Sequence, residues 1–202
     1  MKSLGYAALL WCGLAGTALA DDFVPGTRTS VVLGGAWTFG GDKLAEYEVE
    51  YSDGDSSREK IKAGENLHFF VGAYMENRES EARAYGAQLT LGWFFDSISG
   101  KNGEVTLDRF PIEVIPYVKL NKFRLGMGLT YHTNITLEDN AVLNDSVDFD
   151  NAAGLVVIAE YMVAQQVGIG LRYVNIDYDL DVPGVSRSFD ASHVGLGATV
   201  LF

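Results

Sequence analysis

Three histidines, His68, His132 and His193, fall at positions that period-2 alternation turns to the same side of their strands. Imidazoles gathered at one mouth of a cylinder are the donor type that holds a divalent metal. His68 and His132, however, belong to strands well separated around such a wall, so polar residues lining a wet rim is the plainer reading. Ser192, His193 and Asp190 supply the residue types of a hydrolytic triad. Adjacent residues on a strand face opposite ways, which argues against a Ser192 to His193 pair. The expectation is a protein that is not an enzyme, with no catalytic residues, no metal and no cofactor.

A second set of residues points to electrostatic rather than covalent work. Arg109, Glu113, Arg124, Glu160 and Arg172 share the face opposite to the apolar residues of their strands. Counted from the short turns, Glu160 and Arg172 stand in near-diagonal register on neighbouring strands, with Glu113 at a similar height across the interior. A charge in a low-dielectric interior costs several kcal/mol unless it is paired, so these groups are expected to form a buried ionic network. Such a network serves either as a fixed core or as a gate whose pairs exchange, and the side-chain-filled interior of a small barrel favours the fixed core.

The elements that must carry these groups are strands. Alternation predicts eight, at roughly 30–40, 67–76, 84–96, 107–118, 123–133, 152–163, 167–177 and 192–202, with no stretch of sustained helical periodicity. Their apolar faces, such as Leu89, Leu91 and Trp93 or Met127, Leu129 and Tyr131, carry no charge, while the opposite faces carry arginines and glutamates. A soluble barrel places its apolar set inside; this partition suits a barrel whose outside meets lipid. The fold expected is all-β, an eight-stranded antiparallel up-and-down transmembrane β-barrel with short periplasmic turns and longer extracellular loops. Aromatic residues then sort into two girdles: Trp37, Phe39, Trp93, Phe95, Tyr131 and Tyr173 near one rim, and Tyr85, Phe123, Tyr161 and Phe202 near the other.

Connections alternate in length. Short turns follow strands two, four and six, whereas 41–66, 97–106, 134–151 and 178–191 are long. In the first long connection Ala45, Tyr47, Val49 and Tyr51 alternate with Glu46, Glu48 and Glu50 before Asp53-Gly54, the pattern of a projecting hairpin. The alternative is a ten-stranded barrel that draws residues 43–64 into the wall. The loops are acidic, with Glu138, Asp139, Asp145, Asp148 and Asp150 in the third and Asp177, Asp179 and Asp181 near the fourth. Divalent cations and basic ligands are possible partners for that field, although no spacing matches a calcium loop.

Residues 1–20 read as a cleaved signal peptide, with Lys2, an apolar stretch from Leu4 to Leu14 and Ala18-Leu19-Ala20, leaving a barrel domain over 21–202. Cys12 is the single cysteine and lies in that leader, so disulfides and thiolate sites are not expected in the mature chain. Removing Lys2 leaves 15 − 1 = 14 Lys and Arg against 27 Asp and Glu, a net charge of −13. So acidic a surface argues against nucleic acid as a partner.

The leader, the eight-strand rhythm, the paired girdles and the segment Gly195-Leu196-Gly197-Ala198-Thr199-Val200-Leu201-Phe202 resemble the small outer-membrane β-barrel superfamily that includes OmpX, OmpW and the membrane domain of OmpA. The resemblance implies a cell outer membrane location in a Gram-negative envelope, contact with outer-membrane lipid and lipopolysaccharide, and assembly by machinery that reads a last strand ending in Phe202. It is silent on activity, since the fold hosts adhesins, pores and enzymes. Structural or surface-interaction work through the loops is the function expected. Inward positions Val156, Ile158, Met162, Val174 and Ile176 leave a second reading open, a narrow OmpW-like conduit for small hydrophobic molecules; a lipid-modifying enzyme is a third.

Overall fold

The computed structural model describes residues 25–50, 56–100, 103–140, 145–180 and 187–202. The leader expected over 1–20, the Asp53-Gly54 turn and Asp181 lie outside them. Thirteen strands occur among the described residues: β1 (Gly26–Gly40), β2 (Lys43–Glu50), β3 (Ser56–Lys62), β4 (Asn66–Ser80), β5 (Arg83–Gly100), β6 (Gly103–Leu120), β7 (Phe123–Asp139), β8 (Asp145–Phe149), β9 (Ala152–Met162), β10 (Val167–Asn175), β11 (Asp177–Asp179), β12 (Ser188–Asp190) and β13 (His193–Leu201).

Eight of these close into a cylinder in the order β1-β4-β5-β6-β7-β9-β10-β13, and β13 returns to β1. Every pairing is antiparallel. The seam is held at its foot by Val31 and Phe202, which exchange both backbone hydrogen bonds at 3.1 and 2.9 Å. Closure leaves no unpaired wall edge, which is what permits a sheet to stand in hydrocarbon. The eight wall strands fall where alternation places them, because each repeats β-branched, aromatic or leucyl residues on one side and small or polar residues on the other.

The short turns are set by local chemistry. Between β6 and β7 only Asn121 and Lys122 intervene, and Asn121 takes φ +54°, a left-handed conformation that asparagine tolerates and a tight hairpin requires. Glu81 and Ala82 join β4 to β5, and 163–166 join β9 to β10.

Two loop expectations need correction. Residues 97–106 and 134–151 are largely strand: β5 and β6 stay paired up to Gly100 and Gly103, and β7 continues to Asp139, where β8 pairs with its upper end. Ladder hydrogen bonds and alternating apolar residues at Ile98, Val105, Leu107, Ile135 and Leu137 sustain the sheet beyond the lipid-facing band. Residues 43–64 do not join the wall; β2 and β3 form a separate two-stranded sheet, so the ten-stranded alternative is excluded. The root of this arm folds over the barrel mouth, where Ile61 and Ala63 are fully buried against Val105, Leu107 and Ile135. Backbone bonds from Asp42 N to Asp190 O (2.6 Å) and Ala63 N to Asp42 O (2.9 Å) tie it to the end of β12.

Candidate functional site

The outer surface of the wall is apolar. Leu91, Met127, Leu129, Leu171 and Leu196 are each more than half exposed, and no charged residue shares their row on the same strands between the two aromatic levels. At the long-loop end Trp37, Phe39, Trp93, Tyr131 and Tyr173 stand outward, with Phe95 half-buried beside Trp93 at 4.7 Å. Trp93 Nε1 donates to Asp108 Oδ1 at 2.8 Å, so the ring is apolar toward the wall and polar at its tip. Tyr85, Phe123, Tyr161 and Phe202 are outward at the short-turn end, Phe123 meeting Tyr161 edge-on at 5.3 Å.

Inside, the strands stack the lumen in layers, because residues two apart on each strand rise together along one face. At the bottom Tyr74 lies on Tyr117 (5.0 Å); Tyr74 donates to Glu76 (2.6 Å) and Tyr117 to Met75 O (2.9 Å). Against these rings, 5.2 and 5.3 Å from Tyr74 and Tyr117, Arg124 pairs with Glu160, its register partner across β7 and β9. A small cavity of about 30 Å³ follows, bordered by Phe70, Gln88, Ile115, Ile158 and Thr199. Next comes a crossbar: Arg172 on β10 reaches across the lumen to Glu113 on β6 and also donates to His68 Nδ1 at 2.8 Å. An arginine can only donate, so His68 Nδ1 is the acceptor and the imidazole proton sits on Nε2.

The five charged lumen residues thus resolve into two separate pairs and one arginine without an acid in contact. Glu160 and Arg172, near-diagonal in the sequence register, are not partners. Barrel stagger sets Arg124 opposite Glu160 and leaves Arg172 facing Glu113. Arg109 sits over the ring of Phe94 at 3.6 Å, with Tyr178 5.6 Å away, and its guanidinium carries no hydrogen bond to a described residue. Stacking on an aromatic face is the contact that a planar, delocalised cation accepts in place of a carboxylate.

The histidines do not converge on one centre. His68 stacks on Phe94 at 5.5 Å, His193 meets Phe94 edge-on at 5.2 Å, and His132 Nδ1 is 2.6 Å from the Tyr178 hydroxyl. His193 Nδ1 donates to Ala191 O at 2.9 Å. No group of three or more metal-ligating side chains is placed to hold an ion among the described residues. The triad types do not form a relay: Asp190 Oδ1 accepts from Ser192 N at 2.8 Å with no histidine between them, and Ser192 Oγ accepts from Asn175 Nδ2 (3.1 Å) and Ile176 N (3.3 Å). The Ser192 hydroxyl also holds the Asp190 carboxyl below the usual aspartate range. In the arm, the ammonium of Lys43 does the same for Glu46 at 2.7 Å.

Above Arg109 an apolar cap closes the lumen, joining Ile61, Leu107, Ile135, Phe149, Tyr178 and Ala191. Val156, Ile158, Val174 and Ile176 extend the same cluster down one side, and Met162 belongs to a lower one with Tyr74 and Tyr117. Gly35, Ala36, Gly197 and Ala198 separate the small lumen cavity on one side of the wall from an apolar depression of about 360 Å³ on the other.

At the short-turn mouth a basin of about 360 Å³ opens, lined by Glu76, Arg78, Arg83 and Lys119 among others. Its lining lies just beyond the strand ends that alternation predicts. The strands were expected to begin at 30 and to end at 76 and 118, whereas the same inward parity, carried a few residues further, holds Arg28, Arg78 and Lys119.

No protein-family model matches this sequence, and no curated protein matches it. Among solved structures the chain is similar to Ail, the attachment invasion locus protein of Yersinia pestis, in complex with the heparin analogue sucrose octasulfate. The TM-score is 0.51 and the identity 14%, covering 89% of this chain and 100% of that one. It is also similar to OprG from Pseudomonas aeruginosa, with TM-score 0.43 and 16% identity over 88% of this chain and 97% of that one. A third likeness is to AlkL determined in DMPC lipid bilayers, with TM-score 0.45 and 16% identity over 92% and 94%. The fold is that of the small eight-stranded outer-membrane β-barrels.

Proposed function

We propose that this chain is an integral protein of the Gram-negative outer membrane, non-enzymatic, with a sealed lumen and an acidic outer face that does its work by surface interaction. The observation that carries the reading is the filled interior. Tyr74 on Tyr117, the Arg124–Glu160 and Arg172–Glu113 pairs and the cap of Ile61, Leu107 and Phe149 obstruct the lumen at four successive heights. An eight-stranded barrel has room for side chains and little more. The aromatic levels would sit at the two membrane interfaces, with lipopolysaccharide outside and phospholipid within. Assembly would proceed through the barrel-insertion machinery engaging β13 and Phe202. The outer face, with Asp148, Asp150, Asp177 and Asp179 exposed, would attract divalent cations bridging lipopolysaccharide phosphates, or a basic ligand. Non-enzymatic work is supported by His193 Nδ1, which engages Ala191 O while Ser192 and Asp190 contact each other directly.

One observation favours a second reading, a narrow conduit for small hydrophobic molecules: the small residues Gly35, Ala36, Gly197 and Ala198, with space on both sides of the wall. Planar-bilayer conductance and liposome swelling on refolded protein separate the two. The sealed reading expects no conductance steps and no swelling with small apolar solutes. Solute entry that bulky replacements at Gly126 or Gly170 abolish would overturn it in favour of the conduit.

A further inference from the structure

We propose that the basin at the short-turn mouth is a binding site for a small phosphate-bearing anion, built by Lys119, Arg78, Ser80 and Gln165. Three neighbouring strands converge there. β4 contributes Glu76, Arg78 and Ser80, β5 and its preceding turn contribute Arg83 and Glu81, and β6 contributes Lys119; Gln165 leans in from the turn before β10.

The balance of donors and acceptors sets the sign of the ligand. Both oxygens of the buried Glu76 carboxylate are occupied, Oε1 by Arg78 Nε at 2.9 Å and Oε2 by the Tyr74 hydroxyl at 2.6 Å. Lys119 Nζ stands 3.8 Å from Glu76 Oε2, close enough for attraction and too far for a hydrogen bond, so its three N–H groups remain available. Arg78 engages Glu76 through Nε and lines the basin with the rest of its guanidinium. No hydrogen bond joins the side chains of Ser80 or Gln165 to another described residue. Against these stand Glu81 on the rim and Glu79, which lies 3.4 Å from Arg83.

The interior of the mouth therefore presents more donors than acceptors, in a chain whose other end is acidic. The lining is partly sheltered: the side chains of Arg78 and Lys119 are 14% and 18% exposed, so an anion there feels less screening than at an open surface. Room for a phosphate and a glycerol-sized substituent is ample in about 360 Å³. A guanidinium fork beside an ammonium is the pairing that recognises phosphate oxygens. Two sources offer this chemistry, a soluble periplasmic phosphate and the headgroup of an anionic phospholipid in the inner leaflet.

The test uses the full mature chain refolded in a phosphate-free maltoside micelle and titrated with inorganic phosphate at pH 7, followed by phosphorus NMR line width. Saturable broadening with one site is expected, weakened about ten-fold by Lys119→Gln, as loss of one charge-assisted hydrogen bond implies, and restored by Lys119→Arg. Gln165→Glu, which adds a negative charge without touching Glu76, should weaken it similarly. Heat-modifiable migration on gels shows that each variant is folded. Adding phosphatidylglycerol distinguishes the sources: displacement of phosphate assigns the basin to a lipid headgroup, and no displacement assigns it to a soluble anion. Broadening that never saturates, or that folded Lys119→Gln and Gln165→Glu share with the parent protein, overturns the proposal.

Discussion

Glu113→Gln is the perturbation that weighs the Arg172 crossbar most directly. Glu113 is 1% and Arg172 8% exposed, and the two meet across the lumen rather than along one strand, so neither charge is bathed by bulk water. The amide keeps the shape and one acceptor oxygen but removes the countercharge, leaving Arg172 with the neutral His68 Nδ1 as its remaining partner. Breaking a buried pair by removing one partner costs about 3–5 kcal/mol, and the retained acceptor places this variant near the lower figure. With a slope of about 2 kcal/mol per molar urea, the unfolding midpoint should fall by about 1.5 M. Arg172→Met, which removes the other partner of the pair, should also cost about 3–5 kcal/mol. The double variant, with neither charge present, should be more stable than Glu113→Gln alone. Urea unfolding in lipid vesicles, followed by tryptophan fluorescence and gel mobility, measures all three. If the two single losses add to the double within about 0.5 kcal/mol, the residues are not coupled and the crossbar argument fails.

Other expectations follow from particular contacts. Met127, 62% exposed and midway between Phe123 and Tyr131 on β7, faces hydrocarbon; Met127→Arg should cost about 2–4 kcal/mol in vesicles, and a negligible loss would place this face in water. Gly128 packs so closely on the Val114 carbonyl of β6 that a methyl group collides with backbone; Gly128→Ala should destabilise by about 1–3 kcal/mol, and an unchanged urea midpoint would refute the close approach. In the outer loops, Asp190 owes its lowered carboxyl pKa first to the Ser192 hydroxyl and then to the Ser192 amide. That depressed group contributes stability above its unfolded pKa, lost as pH falls through the folded value. Ser192→Ala should therefore move the Asp190 titration upward toward the ordinary aspartate range in a carboxyl-carbon NMR experiment; an unmoved titration would sink the assignment.

Much of the wall was legible because period-2 alternation and turn chemistry act locally. Leu125, Met127 and Leu129 declare an outward face, and Lys119-Leu120-Asn121-Lys122 declares a compact turn, which the ladder tightens to Asn121-Lys122. What alternation cannot supply is the stagger between strands, a property of the closed cylinder. That stagger is why Arg172 faces Glu113 rather than Glu160, and why Arg124 stands beside Glu160. The bulge between Asp108 and Phe110 shifts the β6–β7 register within the rows that frame Arg109. The cap was hidden for another reason. Ile61 and Ala63 belong to an arm whose alternation indicated a hairpin, but its lean over the mouth depends on burial against Leu107 and Ile135. The basin was within reach, since Arg78 and Lys119 continue the inward parity of Tyr74 and Tyr117.

The central claim is a cylinder with hydrocarbon outside and ionic groups within, and the two tryptophans of 21–202 report on it directly. Trp37 and Trp93 are 57% and 46% exposed on the outward face. In vesicles of phosphatidylcholine brominated along its acyl chains, fluorescence of the refolded protein should be strongly quenched, while aqueous acrylamide quenches it weakly. Strong acrylamide quenching with emission indifferent to brominated lipid would contradict the account.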